Sequence, residues 1–329
     1  MNSKYQPCLL CGSQNVTFTC AVSLQDKFAC DITTCGECGL AFANPMLTPE
    51  QLQHLYDREY WDLRRAQRVF PRLYRVGKAY GRRLARESAT GRMLEIGCGL
   101  SFFLRGVADC CEWEIEGLDA AEGIAEFAQE KLGLRVRQGM FAGDCFPPET
   151  YDLVRAKDVL EHVSDPLAFL QGIHRVLRPG GRVELWLPNG PIDLTPARRA
   201  ARQGRVVRQD AGHVLFIPPR ALRRLLQSAG FVVARAEVFS LRPALKMLGW
   251  LPDRQGLKYA RPAGEGPGEA PVAARGEGNP LDQWERPPPE QGLKGTMLYA
   301  RLREWRFHRP SVPAWLPIGL RQWAIGRKA

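Results

Sequence analysis

Lysine is scarce in this chain, nine residues against 37 arginines among 46 basic and 35 acidic side chains in 329 residues. The net charge of +11 is therefore an arginine charge. It is spread along the chain apart from one run treated below, which fits a generally basic surface and leaves nucleic acid as an alternative partner. No stretch approaches the roughly 18 uninterrupted apolar residues of a membrane-spanning helix. Met1 to Pro7 holds one lysine and no apolar run follows it, so the expectation is a chain without a secretory signal, located in the cytoplasm. No internal repeat is found. The composition is otherwise ordinary, 45% hydrophobic and 25% charged, which excludes a disordered or collagen-like chain. The length allows about two domains, one with a full core.

Cysteine is plentiful but unevenly placed. Six of the ten lie before residue 40: Cys8, Cys11, Cys20, Cys30, Cys35 and Cys38. A disulfide framework would spread over a short secreted chain, whereas clustered CxxC pairs read as metal ligands. Cys8-x-x-Cys11 and Cys35-x-x-Cys38 are each followed by glycine, Gly12 and Gly39. Each such turn aims two thiolates at one point, and the glycine lets the chain reverse. Four thiolates leave no open coordination position, so the expected Zn2+ is structural. Cys20 and Cys30 fit no knuckle and read as small core residues.

The chain divides into a zinc-ribbon module over 1–46, a helical linker over 47–90, a main domain over 91–251 plus 293–302, a Pro/Gly-rich flexible insert over 252–292, and a basic aromatic tail over 303–329. Thr48-Pro49-Glu50 marks a helix start, with threonine as N-cap and proline at the first position. Pro71 splits the linker into two helices. From Met93 onward strands alternate with helices. Strands are expected at Met93–Ile96, Glu114–Leu118, Leu134–Arg137, Tyr151–Arg155, Arg182–Leu187 and Phe231–Phe239, and a last one at Gly295–Ala300. Helices are expected at Ala121–Leu132, Pro166–Leu177 and Pro219–Ala229. Such alternation implies an α/β fold, a mostly parallel sheet covered on both faces. The tail carries Trp305, Trp315 and Trp323 among arginines, which suits a membrane surface, a partner, or the protein's own core.

The first strand of the main domain runs into Glu95-Ile96-Gly97-Cys98-Gly99-Leu100-Ser101. Glycines there let the backbone turn sharply and approach a ligand closely. Asp119 ends the next strand, at the distance where a ribose hydroxyl pair is bound. With Gly117-Leu118-Asp119, Tyr151-Asp152-Leu153-Val154, Asp158-Val159-Leu160-Glu161-His162-Val163 and Leu177-Arg178-Pro179-Gly180-Gly181, this order of motifs resembles the class I S-adenosylmethionine-dependent methyltransferases. The likeness covers roughly residues 90–240. It implies a Rossmann-like doubly wound sheet with S-adenosyl-L-methionine as cofactor. Glu95, Gly97, Gly99 and Ser101 would serve its methionine part and Asp119 the ribose. Met140 and Phe141 stand where the adenine would be flanked, in place of the acid common in that family, so Asp144 or backbone is left to hold the adenine amino group. Lys157 is likewise unusual for its place. The ribbon resembles the front module of a subgroup that modifies sugars and other small molecules.

The resemblance implies a small-molecule acceptor, such as a phosphorylated or nucleotide-linked sugar. A hydroxyl acceptor needs a base near neutral pH, and His213 and His162 are the candidates. Arg198, Arg199, Arg202, Arg205 and Arg208 either grip a diphosphate or form a solvated face. The alternatives are an RNA methyltransferase that uses the ribbon and basic charge, and a non-catalytic scaffold on a methyltransferase core.

Overall fold

The computed structural model describes residues 4–56, 63–240 and 320–329, with short pieces at 244–245, 248, 261–262, 281, 283–285 and 312–313. Three strands open it, β1 (Val16–Leu24), β2 (Phe28–Cys35) and β3 (Ala41–Ala43), followed by helices α1 (Pro49–Gln53) and α2 (Leu63–Glu87). Next come β4 (Arg92–Ile96), α3 (Phe102–Ala108), β5 (Glu114–Asp119), α4 (Ile124–Leu132), β6 (Arg135–Gln138), β7 (Tyr151–Lys157), α5 (Pro166–Val176) and β8 (Leu177–Pro188). The remainder is α6 (Gly190–Asp193), α7 (Thr195–Ala201), β9 (Val207–Gln209), β10 (Leu215–Phe216), α8 (Pro219–Ser228), β11 (Phe231–Phe239), β12 (Arg261–Pro262), β13 (Val312–Pro313) and β14 (Arg321–Lys328).

The larger sheet has the order β13-β11-β14-β8-β7-β4-β5-β6. Its segment β8-β7-β4-β5-β6 is parallel throughout. Both faces of this segment are covered, so its strands read as apolar runs rather than alternations. Met93, Leu94 and Ile96 of β4 are all buried, and so is Glu95. One face packs on α2, α3 and α4 around Met93, Leu104, Phe102 and Leu153. The other packs on α5 and α8 around Leu94, Val154, Leu185 and Leu222, and that core runs on into the cysteine-rich strands.

Helix α2 is not the split linker expected. It continues through Pro71, because its packing outweighs the lost hydrogen bond. Phe70 meets Phe102 edge-on at 4.9 Å. A Cβ at Gly106 would overlap the Tyr74 carbonyl oxygen, and one at Gly77 the Phe103 carbonyl, so α2 and α3 touch backbone to backbone. Thr48 caps α1 as anticipated, in a capping box with Gln51.

At the end of the chain, the described part of the tail takes the core alternative, as a strand. Residues 321–328 of the supposed tail form β14, antiparallel between β8 and β11. Its alternation of buried Gln322 and Ala324 with partly exposed neighbours suits a strand with one face on the core. The strand anticipated at 295–300, most of the 252–292 insert, and Trp305 and Trp315 lie outside the described residues.

The smaller sheet has the order β10-β3-β2-β1-β9-β12. Thus the three N-terminal strands are joined by strands that come more than 150 residues later, with β9 on β1 and β10 on β3.

Candidate functional site

The four ribbon cysteines come together. Cys8 Sγ lies 3.4 Å from Cys38 Sγ, and Cys11 Sγ lies 3.5 Å from Cys35 Sγ. All four sulfurs are within 4.8 Å of one another. Zn–S bonds of about 2.3 Å would place tetrahedral sulfurs about 3.8 Å apart, so the donor set and its spacing fit Zn2+. Gly12 and Gly39 both have positive φ, and their N–H groups donate to the carbonyls of Cys8 and Cys35, closing the two knuckles. Cys20 and Cys30 lie in the core, where burial pushes both thiols up to about 11.

At the carboxyl end of β4 the chain turns through Gly97, whose φ is +70° and where a Cβ would strike Val159. Gly99 and Ser101 also have positive φ, and the Ser101 hydroxyl donates to the Gly99 carbonyl at 3.2 Å. Asp119, at the end of the adjacent β5, ties this turn down. One carboxylate oxygen accepts from Gly99 N–H at 2.6 Å and the other from Ala121 N–H at 2.9 Å. Burial raises the Asp119 pKa above the usual carboxylate value, while the N–H groups of Ala121 and Gly99 act against it. Each oxygen keeps a lone pair for a hydroxyl donor.

Glu95 is buried beneath the turn, paired with Arg155 on the neighbouring β7. Arg155 lies over the Phe103 ring, 4.0 Å from its centroid. Glu95 Oε2 has no hydrogen-bond partner, so the acid retains an acceptor for an ammonium group. These orphaned and half-used acceptors beside a glycine turn fit the methionine and ribose parts of S-adenosylmethionine.

A second cluster forms where β7 and β8 end. Glu161 and His162 sit in a single 3-10 turn, Leu160–His162, just beyond β7. His213 comes from the segment between β9 and β10. The ring centroids of His162 and His213 are 4.9 Å apart. The Nδ1 of His162 lies 3.2 Å from the Gly212 carbonyl oxygen and donates to it, since that oxygen can only accept. Burial and the neighbouring His213 push His162 down to about 3, so it is neutral, with its lone pair on Nε2.

His213 Nδ1 lies 2.7 Å from the Asp193 carboxylate of α6. Burial opposes protonation of His213, but Asp193 outweighs it and raises the imidazole above its ordinary value. Glu161 is 2% exposed, and neither of its carboxylate oxygens has a hydrogen-bond partner. Burial pushes its carboxyl up to about 7. Asp193 and Glu161 received no role from sequence. The one signal for Asp193 was its place just after β8, at the carboxyl edge of the sheet, where open α/β sheets bind ligands.

The other anticipated residues have these surroundings, and Lys157 is close enough to Glu161 for the two charges to act on each other. Phe141 packs edge-on against Phe169 of α5 at 5.3 Å, and Met140 is partly buried against the same core. Asp144 is an exposed turn residue. The Lys157 ammonium pairs with Asp158, which also receives Arg321 from β14. The arginine run is not one grip. Arg208 is held by Asp26 and Asp210, Arg199 donates to the Leu248 carbonyl, and Arg205 to Gln203.

A family model described as a methyltransferase domain matches residues 64–236, more than half of the chain. A ubiquinone biosynthesis O-methyltransferase of Ruegeria pomeroyi is 36% identical over 95 residues, 27% of this chain and 38% of that protein. A probable S-adenosylmethionine-dependent methyltransferase of Mycolicibacterium smegmatis is 29% identical over 195 residues, 59% of this chain and 68% of that protein. The chain thus spans well under half of the first relative. Among solved structures, a possible histamine N-methyltransferase of Thermotoga maritima superposes with a TM-score of 0.44 at 16% identity, covering 84% of this chain and all of that one.

Proposed function

Because this chain belongs to the methyltransferase-domain family, we propose that it transfers a methyl group from S-adenosylmethionine to a small-molecule acceptor, with a hydroxyl oxygen of a sugar or related metabolite as the favoured atom. One observation supports this above the others. The glycine turn, Asp119 and the Glu161–His162–His213 cluster all sit at the carboxyl ends of β4, β5, β7 and β8. A cofactor side and an acceptor side thereby share one edge of the sheet.

When bound, S-adenosylmethionine supplies a methyl carbon on a sulfonium; the acceptor oxygen takes that carbon while the C–S bond breaks and leaves its electron pair on sulfur. The chain's own part is to bind and align. Asp119 holds the ribose hydroxyls, and the turn at Gly97 and Gly99 with Glu95 Oε2 holds the methionine end. Alignment of this kind is worth up to roughly 7–11 kcal/mol. Of the two histidines, His162 is too weak a base at about 3. His213, oriented by Asp193, takes the hydroxyl proton on Nε2. A positioned base contributes about 10²–10⁴-fold. The four-cysteine site holds Zn2+ as a structural ion, remote from this chemistry in role.

The test is release of S-adenosylhomocysteine from the purified protein and S-adenosylmethionine with a panel of sugars, nucleotide-linked sugars, phenolic metabolites and RNA. Turnover with a hydroxylated small molecule supports the assignment. Turnover with RNA alone overturns the acceptor class, and cofactor binding without turnover on any acceptor overturns the catalytic reading.

A further inference from the structure

We infer that Glu161, His162 and His213 form a second metal site, one that takes a first-row divalent transition ion through two imidazole nitrogens and a carboxylate. Three independent observations converge on it. First, one ligand atom from each residue lies within 4.8 Å of the other two. Ligands of a bound ion at about 2.0–2.2 Å sit roughly 3–3.5 Å apart, so small side-chain rotations close the set. Second, both imidazoles carry the outer support that metal-binding histidines need. His162 Nδ1 is held by the Gly212 carbonyl and His213 Nδ1 by the Asp193 carboxylate, which leaves Nε2 as the ligating nitrogen on each ring. Third, Glu161 is buried at 2% exposure with both oxygens unpartnered. A buried carboxylate without hydrogen bonds is costly, and a cation held between it and the Nε2 atoms of the two imidazoles removes that cost.

The donor set decides the class of ion. Two imidazoles and one carboxylate suit Zn2+, Fe2+, Co2+ or Ni2+, whereas Mg2+ and Ca2+ prefer oxygen donors alone. The set also contrasts with the four-cysteine site. Four thiolates close a tetrahedron, while three ligands leave at least one position open.

On the reading that this edge performs methyl transfer, the open position takes the acceptor oxygen. A coordinated hydroxyl has a lowered pKa and gives its proton to solvent, and the oxygen keeps the electron pair that forms the bond to the methyl carbon. The ion then replaces His213 as the activating group. His213 acts as ligand when the ion is bound and as base when it is not. Redox chemistry at the ion is no part of the proposal.

The experiment uses the metal-free full chain given one equivalent of Zn2+, which the four thiolates take first, then titrated with Co2+, dialysed, and counted for both metals by elemental mass spectrometry. Binding of S-adenosylmethionine is followed calorimetrically on the same samples as a check of folding. The expected result is one Zn2+ and one Co2+ per chain, with no thiolate-to-cobalt charge-transfer absorption. Glu161→Gln and His213→Asn should each weaken Co2+ binding about tenfold or more while Zn2+ content stays at one. A wild-type protein that binds S-adenosylmethionine but keeps no Co2+ overturns the site and leaves His213 as base. Co2+ retained undiminished by both variants overturns it as well. Co2+ bound as expected by a folded chain that binds no S-adenosylmethionine leaves the site standing and removes the methyl-transfer reading instead.

Discussion

Asp119 and Asp193 do the same physical job at the carboxyl edge of the sheet: each carboxylate fixes a neighbour, Gly99 and Ala121 in one case and His213 in the other. Asp119 spans Gly99 and Ala121 with its two oxygens, so replacing it removes two ligand bonds and also loosens the turn. Charged hydrogen bonds are worth about 1.5–3 kcal/mol each. Asp119→Ala should therefore weaken S-adenosylmethionine binding at least tenfold, as read by calorimetry. Asp193→Asn leaves His213 in place but removes the charge that raises its pKa. It should lower the rate of methyl transfer while leaving cofactor affinity unchanged, and His213→Ala should lower it by about 10²–10⁴-fold. An equal loss of cofactor affinity in either variant would contradict their placement on the acceptor side. Much of this site was legible in sequence, because the glycines, Asp119 and both histidines belong to short local motifs. What escaped was the pairing between them. His162 and His213 are separated by 51 positions, His213 is joined to Asp193 across 20, and only the fold brings the three together. The lack of a partner for Glu161 is a property of burial, which no local pattern reveals.

Elements were legible where their patterns were local. The buried strands β4, β5 and β7, and the helices α5 and α8, appear close to where apolar runs and caps place them. The misjudged elements are those decided by distant partners. β14 pairs with β8 from Arg321↔Pro188 to Arg327↔Arg182, across more than 130 residues. Helix α2 survives Pro71 because of its contact with α3. That contact makes a prediction of its own. Gly106→Ala places a methyl group against the Tyr74 carbonyl, and overpacking of this kind costs about 1–3 kcal/mol. The melting temperature should fall by several degrees, since each kcal/mol shifts a chain of this size by roughly 2–4 °C. An unchanged melting curve would mean that the two helices are not packed as closely as described.

At the scale of the whole molecule, the cysteine-rich strands are not a detachable module. β3 starts three residues after Cys38 and pairs with β10, where Leu215↔Phe42 and Phe216↔Ala41 are matched. The Ala43 N–H donates to the Val214 carbonyl, and the Val214 N–H donates in turn to the Glu161 carbonyl. A continuous ladder thus leads from the zinc knuckles to the residue beside His213. Cys35→Ser, or removal of zinc by a chelator, should unfold the first 45 residues or so and abolish methyl transfer. Cofactor affinity should change far less, because Asp119 and the glycine turn rest on β4 and β5. Hydrogen exchange confined to the ribbon, β9 and β10 would bear this out, and exchange spread evenly through β4 and β5 would contradict it.

The central claim is that the edge formed by the glycine turn and Asp119 binds S-adenosylmethionine. Its most direct test is a calorimetric titration of the zinc-loaded protein with S-adenosylmethionine beside the Asp119→Ala variant. The account predicts saturable one-to-one binding that the substitution weakens at least tenfold. A folded, zinc-loaded wild-type protein that takes up no S-adenosylmethionine, or a variant that binds it equally well, would contradict it.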